Sequence, residues 1–360
     1  MNFDFSDEQK ELQAQANRFL TDKCPATVPR TILESDAPYA RELWEGIAEM
    51  GFLGTAIPEE YGGVGFGYLE LCLIAQEMGR AVVPVPFSSS VYLAAEAILL
   101  AGTEEQKQNY LPKLASGEII GTLALAEGFG TDTNDLSTSF DGSVINGTKN
   151  PVVDGDIADI AIVVTNSGLA IVDLNGDGVQ REAVETVDPT RSHASITFSN
   201  AAAEGLGDDI LDTLLSRAAI LFAFEQVGGA DACLAMSKSY SVERYAFGRA
   251  IGSFQALKHK MADIYVKNEL ARSNAYFGAM VLTENAPELP VAAAAARVSA
   301  TDAYHFASKE NIQIHGGIGF TWEFDAQFYY RRSKLLALAI GGPLTWKEKL
   351  VCALETEVTA

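Results

Sequence analysis

The sequence predicts a mainly α-helical protein with a β domain in its middle. Three observations support this fold class. Apolar residues recur at helical spacing to about residue 118, the period shifts toward two over residues 119–208, and helical spacing returns over residues 209–360. We therefore expect an N-terminal helical domain, a middle β domain and a C-terminal helical bundle, with boundaries at those positions.

Composition and charge narrow the class of protein. At 360 residues, with 48% hydrophobic content and 12 prolines, the chain is typical of a globular protein of two or three domains. Asp and Glu outnumber Lys and Arg by 48 to 26, and the resulting formal charge of -22 repels nucleic-acid phosphates and anionic lipids. We therefore expect no nucleic-acid partner and no membrane role.

The N-terminal residues and the cysteines indicate the compartment. The start, MNFDFSDEQKELQAQ, is acidic and helically spaced, whereas a signal peptide needs a basic patch and an apolar run. The cysteines form no Cys-x-x-Cys pair, which favours buried thiols in a reducing compartment over a metal site or disulfides. They are Cys24, Cys72, Cys233 and Cys352. We expect a cytoplasmic protein.

The N-terminal third begins and ends with helices. Ser6, with Gln9 three residues later, predicts a capped first helix. Residues 51–67 form a glycine-rich connection that lacks the Gly-x-Gly-x-x-Gly spacing of a dinucleotide-binding loop. Residues 103–117 predict one short helix that is interrupted around Pro112 and closes the domain.

The middle domain consists of short β-rich runs separated by turns. Val, Ile and Thr dominate residues 157–165, 169–174 and 194–198, and Asp-Gly, Asn-Gly and Ser-Gly pairs separate the runs, as in antiparallel sheet. Residues 173–178 resemble the opening of a calcium-binding loop, but Val184 stands where that loop needs a bidentate Glu. We interpret these residues as a hairpin turn.

The C-terminal third predicts long helices with short links. The first runs to about Tyr245, the second covers residues 254–283 and the third covers residues 290–313. The sequence Gln-Ile-His-Gly-Gly at residues 313–317 then breaks the helical pattern. Adjacent glycines let a flat or phosphorylated ligand approach the backbone, but taken alone such a turn is more often a tight bend between helices.

The order of the domains and two sequence motifs resemble the acyl-CoA dehydrogenase family of flavoenzymes. The most specific matches are two motifs in the C-terminal third. The first consists of RYAFG (244–248), IGSFQ (251–255) and KMAD (260–263), and the second is QIHGGIGF (313–320). Weaker matches lie elsewhere: FSDEQ (5–9), PEEYGG (58–63) and NGTK (146–149). The resemblance covers the full chain and implies an antiparallel β-barrel in the middle and a C-terminal four-helix bundle.

The resemblance also implies a cofactor site. In that family FAD lies between two subunits, with the isoalloxazine ring on the β domain of one and the ADP half on the bundle of the other. The residues of this chain that the resemblance assigns to the ADP half are Arg244, Phe247, Gln255, Gln313, Gly316 and Gly317. The Arg244 guanidinium would pair with the pyrophosphate. Simpler interpretations are a solvated helix end for Arg244, a core position for Phe247 and a helix cap for Gln255.

The residues that the family places around the flavin ring are less well kept. Family members carry a Thr-Glu-Pro-Gly-Ala-Gly-Ser-Asp type segment, and the matching residues 126–132 read AEGFGTD, with Thr131 as the candidate replacement for the serine. Where a Trp-Ile-Thr segment commonly borders the flavin, residues 151–153 read Pro-Val-Val. The aromatic cover and a hydroxyl that can bond the ring are therefore both missing.

Desaturation of an acyl-CoA needs a carboxylate that removes the proton next to the thioester. The usual family position, beyond the basic Arg-x-x-Lys helix, is Ile340 here, and the alternative position, on the first bundle helix, is Ala218. Neither side chain can accept a proton. Glu225 and Glu323 are the nearby alternatives, although Glu225 fits better as a capping or ion-pairing residue and Glu323 as a loop residue.

These features predict a subunit of a FAD-dependent acyl-CoA dehydrogenase that lacks the catalytic base. We expect this subunit to complete the FAD site of a second acyl-CoA dehydrogenase-like chain in an α2β2 assembly. Residues 319–323 (GFTWE) and the short chain resemble the short subunits of heteromeric bacterial steroid-catabolic enzymes, so a steroid-derived acyl-CoA is one candidate substrate. The resemblance implies electron-transfer flavoprotein as the electron acceptor. Two alternatives stay open: a homotetrameric dehydrogenase with an atypical base, and a flavin-free acyl-thioester-binding or scaffolding module.

Overall fold

The computed structural model describes residues 5–128, 133, 135–207 and 210–359. These residues form helices in the first and last thirds of the chain and mainly strands between them, which confirms the predicted fold class. The helices are α1 (Asp7–Lys23), α2 (Thr27–Leu33), α3 (Arg41–Glu49), α4 (Tyr68–Arg80), α5 (Glu96–Ala101), α6 (Glu104–Ser116), α7 (Leu211–Glu243), α8 (Gln255–Glu284), α9 (Leu289–His315), α10 (Ala326–Leu338) and α11 (Pro343–Thr359). A π-helical segment, Ser88–Ala95, leads directly into α5.

The strands lie mostly between α6 and α7. They are β1 (Gly121–Ala124), β2 (Ser139–Phe140), β3 (Val144–Val153), β4 (Ile160–Thr165), β5 (Gly168–Asp173), β6 (Val179–Ala183), β7 (His193–Ala202), β8 (Glu204–Leu206), β9 (Tyr245–Ala246) and β10 (Arg249–Ala250). The three β-rich runs of the sequence correspond to β4, β5 and β7, so those predictions are confirmed.

The chain divides into two compact units, each assembled from separate stretches of sequence. The first unit contains residues 1–29, 68–83 and 219–360, and the second contains residues 30–67 and 84–218. The sequence boundaries at 118 and 208 follow the change from helix to strand and back. As boundaries between domains, these two positions remain a prediction.

Two four-stranded sheets form the β part of the second unit. One has the order β1-β4-β5-β8 and the other β2-β3-β7-β6. Their pairing is antiparallel, as predicted, except that β1 and β4 run parallel. Parallel pairing needs a long connection, and the chain between β1 and β4 provides one because it passes through β2 and β3 of the other sheet.

Two local predictions in this unit are wrong. Residues 174–178 join β5 to β6, which belong to different sheets, so they form a turn between sheets and not a hairpin. The helix α6 continues through Pro112. Proline removes one backbone donor, but the capping box of Thr103 and Gln106 and the buried side chain of Leu111 keep the remaining turns in place.

The first unit is a helical bundle. Its helix α9 packs against α8, α10 and α11, and its alanine-rich start is buried, as close helix packing requires. As predicted, α1 begins with a capping box, in which Ser6 Oγ accepts from the Gln9 amide and Gln9 Oε1 accepts from the Ser6 amide. The helix α7 is long and apolar enough to cross a membrane, but 78% of its most apolar window is buried inside the protein, as expected of a core helix.

The cysteines differ in exposure. Cys24, Cys72 and Cys233 are buried, as the sequence predicted, whereas Cys352 is exposed. Burial raises the pKa of the Cys24 thiol to about 12, so this thiol stays protonated. The prediction of buried thiols is therefore wrong for Cys352, because it lies on the outer side of α11.

Two glycines allow α4 and α7 to cross in backbone contact. A Cβ at Gly79 would lie 1.8 Å from the Glu225 carbonyl oxygen, and a Cβ at Gly228 would lie 1.8 Å from the Gln76 carbonyl oxygen. Real Cβ atoms do not approach other atoms so closely, so any side chain here must push the helices apart.

We expect Gly228→Ala to lower the free energy of unfolding by at least about 2 kcal/mol, because overpacking usually costs ~1–3 kcal/mol and this clash is with rigid backbone. Urea or thermal denaturation measures the loss. The matched control is Gly342→Ala, where a new Cβ meets its nearest atom at 3.8 Å. Equal losses in the two variants would contradict the close crossing.

Candidate functional site

The C-terminal ends of α7 and α9 lie side by side in the first unit. Ser237 Oγ donates to Asn311 Oδ1 over 2.9 Å, and one turn further along the rings of Tyr240 and His315 have centroids 4.3 Å apart. Each helix then leads into a loop that carries predicted site residues. The structure thus brings together two motifs that are far apart in the sequence.

The loop after α7 is the short β9–β10 hairpin. Phe247 at its tip is 95% exposed and has a φ of +54°, in the left-handed region that bulky residues seldom adopt. Within the described chain its ring makes an edge contact with that of Phe254, with centroids 6.2 Å apart. Phe247 is therefore not a core residue. Backbone strain that presents an aromatic ring to the outside points to a role in binding.

Two arginines flank or lie on the hairpin that leads into α8. Arg244 is exposed at the end of α7, and the Arg249 guanidinium lies 4.1 Å from the Phe254 ring centroid. Phe254 is the N-cap of α8 and makes no side-chain capping hydrogen bond, while Gln255 is the first helical residue, so Gln255 is not the cap. Arginines beside a helix N-terminus without a side-chain cap suit an anionic ligand.

The loop after α9 carries the two predicted glycines. Gly316 has a φ of +63°, which favours glycine by itself. Gly317 has no such requirement, and a Cβ at either position would meet no atom within 4 Å. No contact within the described chain therefore explains the glycine at 317, whereas a flat ligand lying against the backbone would explain it. Gln313 is exposed one turn before them.

His315 fixes the start of this loop. Its Nδ1–H donates to the Asn311 carbonyl oxygen over 2.8 Å, and its ring lies against those of Tyr240 and Phe324, at centroid distances of 4.3 and 4.5 Å. Burial lowers the pKa of His315, and the hydrogen bond to Asn311 opposes that shift. The neutral imidazole is therefore the form that holds the loop.

The residues predicted around the flavin ring belong to the second unit. Thr131 lies outside the described residues. Val152 and Val153 end β3, and their apolar side chains offer no hydrogen bond to a ligand. Their place beside a flavin ring remains a prediction.

A buried polar cluster lies next to Val153, and sequence reasoning missed it. Asp154 follows Val153 and forms a buried ion pair with Arg191. The Arg191 guanidinium also donates hydrogen bonds to the hydroxyl oxygens of Ser88 and Ser89, over 3.2 and 3.1 Å. The cluster joins three segments that are distant in sequence, so no local sequence motif predicts it. Its members satisfy one another, which is typical of a structural ion pair.

Both predicted positions for a catalytic base are buried and apolar. Ile340 is 2% exposed, and the Trp346 Nε1–H donates to its backbone carbonyl over 3.1 Å. Ala218 is fully buried within α7. Neither residue offers a proton acceptor to a substrate.

The two alternative carboxylates occupy different surroundings. Glu225 is buried, and its carboxylate lies 3.9 Å from the Arg332 guanidinium. Burial lowers the pKa of the nearby Arg297 to about 9, and the charge of Glu225 opposes that shift. Glu225 therefore balances buried guanidinium charge. Glu323 lies on the exposed loop before α10, as the sequence suggested.

Two characteristic domains of one enzyme family match this chain. The acyl-CoA dehydrogenase N-terminal domain matches residues 6–118, and the acyl-CoA dehydrogenase C-terminal domain matches residues 206–343. The structure agrees with that assignment, because the first and last thirds of the chain are helical, the middle forms sheets, and loops follow α7 and α9. The chain belongs to the acyl-CoA dehydrogenase family.

Particular relatives narrow the comparison. Acyl-CoA dehydrogenase IpdE2 of Mycobacterium tuberculosis is 36% identical over 93% of this chain and 92% of its own length. The Tcur3481-Tcur3483 steroid acyl-CoA dehydrogenase, solved as a G363A variant, superposes with a TM-score of 0.91 at 29% identity over 98% of this chain and 99% of the other. A chain of the ChsE4-ChsE5 complex from M. tuberculosis superposes with a TM-score of 0.91 at 25% identity over 99% of both chains.

We expect the stability of this loop region to depend on the protonation of His315. Because its folded pKa is lowered, the unfolded chain takes up the proton first as the pH falls through about 6.5, and the folded state loses stability. His315→Gln should therefore lose less thermal stability than the wild type between pH 7.5 and 5.5. Thermal melts at the two pH values test this, with the exposed His259→Gln as the matched control; a wild-type pH dependence in His315→Gln would contradict it.

Proposed function

We propose that this chain is a subunit of a FAD-dependent acyl-CoA dehydrogenase that desaturates an acyl-CoA thioester. In this proposal the chain supplies no catalytic base. It completes the FAD site of an unlike acyl-CoA dehydrogenase-like chain in an α2β2 assembly, with electron-transfer flavoprotein as the electron acceptor. The acyl group is proposed to be steroid-derived.

The apolar residues at both base positions carry this proposal. Desaturation removes a proton from the carbon next to the thioester, and a desolvated carboxylate must accept it. Ile340 and Ala218 cannot do so, and both are buried. Glu225 faces Arg332 inside the bundle. A chain with this arrangement depends on another chain for the proton transfer.

The exposed loops of the first unit supply the other half of the argument. In the proposal Arg244 pairs with the pyrophosphate, and the Gly316 and Gly317 backbone lies against the ligand, which the open space above both glycines allows. Gln313 and Gln255 provide amides and Phe247 an aromatic face, all of them exposed. When bound, FAD supplies a hydride acceptor. These residues hold its ADP half and set its position.

Two of the comparisons support an unlike partner and a steroid-derived substrate. The name of the ChsE4-ChsE5 structure describes a complex, and that of the Tcur3481-Tcur3483 structure describes a steroid enzyme. Both superpose over nearly the full length of this chain. The residues at 340 and 218 explain physically why such a partner would be needed here.

Arg244→Ala should weaken FAD binding by about tenfold or more, since a charge-assisted hydrogen bond contributes roughly 1.5–3 kcal/mol. The measurement is flavin absorbance per complex, after co-expression with a candidate acyl-CoA dehydrogenase-like partner chain and dilution at graded FAD. Arg18→Ala on α1, an exposed arginine of the same unit, is the matched control. Unchanged flavin content in Arg244→Ala would favour the flavin-free module.

Glu225→Gln should leave the turnover of the flavin-loaded complex within about twofold of wild type while lowering its melting temperature, because the change removes the charge facing Arg332. Loss of a true catalytic base would instead lower turnover by about 10²–10⁴-fold. Steady-state desaturation assays on the complex separate these outcomes, and Glu323→Gln tests the second carboxylate in the same assay. Desaturation by the chain alone with stoichiometric FAD would refute the heteromeric proposal.

A further inference from the structure

Three basic side chains meet on the surface of the first unit where α9 and α10 lie together. Lys334 Nζ lies 2.5 Å from His305 Nδ1 and 4.8 Å from the Tyr330 ring centroid. Lys309 lies one turn beyond His305 on α9. Partial burial and then the nearby lysine charges lower the pKa of His305 and that of Lys334, so the neutral His305 ring accepts a hydrogen bond from the Lys334 ammonium. We refer to His305, Lys309 and Lys334 as the basic cluster.

No carboxylate balances the lysines of the basic cluster within the described part of the chain. Among the described residues, no Asp or Glu oxygen lies within 4.0 Å of the Lys309 or Lys334 ammonium. Asp302 is the acidic group that acts on His305, and it forms no ion pair with either lysine. By contrast, Lys260 on the neighbouring α8 is paired with Glu310.

Such a cluster is unexpected on this chain. Acidic residues outnumber basic ones by 48 to 26, so carboxylates are abundant as counter-charges. Close like charges raise the free energy of the folded state unless an anion lies near them. An external anion would remove that cost.

The position of the basic cluster indicates what kind of anion would bind there. His305, Lys309 and Gln313 are exposed at successive turns of α9, so the cluster continues the surface that carries Gln313 and Gly316. In the proposed function that surface faces the unlike chain. The cluster spreads over two helices and both His305 and Lys309 are exposed, which suits protein side chains better than a small ligand, because small-ligand sites are concave.

We propose that the basic cluster docks acidic side chains of the unlike partner chain, beside the flavin site. This inference rests on the proposed heteromeric function. Electrostatic complementarity of this kind raises the rate of association and selects the correct partner. In this arrangement Gln313 and the glycine loop contact the flavin, and the basic cluster sets the orientation in which the partner arrives.

The test compares complexes formed with wild-type chain, Lys309→Glu/Lys334→Glu, and the neutral Lys309→Gln/Lys334→Gln. The dissociation constant between the two chains is measured at low and high salt, together with flavin content. We expect charge reversal to weaken association by about tenfold or more at low salt, the neutral variant to lie between, and both differences to shrink at high salt. Lys347→Glu, an exposed lysine of α11, is the matched control.

The outcomes separate this inference from the proposed function. A wild-type complex that binds flavin, with charge-reversed variants that associate as tightly as wild type, would overturn the docking site alone. Failure of the wild-type chain to form any flavin-binding complex would overturn both. Tight binding of inorganic phosphate by the isolated wild-type chain, lost in the variants without any change in association, would assign the cluster to a small anion and also overturn the docking site. Melting temperatures of the variants confirm that they fold.

Discussion

The balance of buried charge around Glu225 is the constraint on which the helical unit depends. Arg297 and Arg332, from α9 and α10, are almost completely buried. Arg297 donates to the Leu336 carbonyl, and Arg332 donates to the Val83 carbonyl over 3.0 Å. A buried guanidinium is costly unless acceptors lie around it, so these contacts fix α7, α9, α10 and the segment that follows α4 against one another.

This constraint also limits what the helical unit can do chemically. Glu225 is occupied with buried arginines, and a carboxylate in that role is not presented to a substrate. The turn that Arg297 holds at Leu336 leads on to Ile340, where Trp346 ties down the backbone. The predicted base position is therefore buried and held in place, and its isoleucine side chain cannot accept a proton. This arrangement agrees with the proposal that a partner chain supplies the base.

The same bundle presents the residues of the proposed FAD site at the ends of its helices. Two contacts align α7 with α9: the hydrogen bond from Ser237 to Asn311 and the ring contact of Tyr240 with His315. Phe247 and the loop at Gly316 therefore lie at the same end of the bundle. Rigid helices below and exposed loops above are the arrangement expected when binding residues must be positioned precisely in space but remain accessible. Strain at Phe247 persists because the hairpin is held between two long helices.

The sequence by itself determined the fold class, the capped start of α1 and the positions of the strands β4, β5 and β7, because helical and strand periodicity and capping are local properties. It also determined the absence of a proton acceptor at Ile340. It could not determine the parallel pairing of β1 with β4 or the sheet that β6 joins, since register depends on distant strands. Only the tertiary structure decided that Phe247 is exposed, that Asp154 pairs with Arg191 and that Glu225 faces Arg332, because side chains far apart in sequence meet only after the helices and sheets have packed.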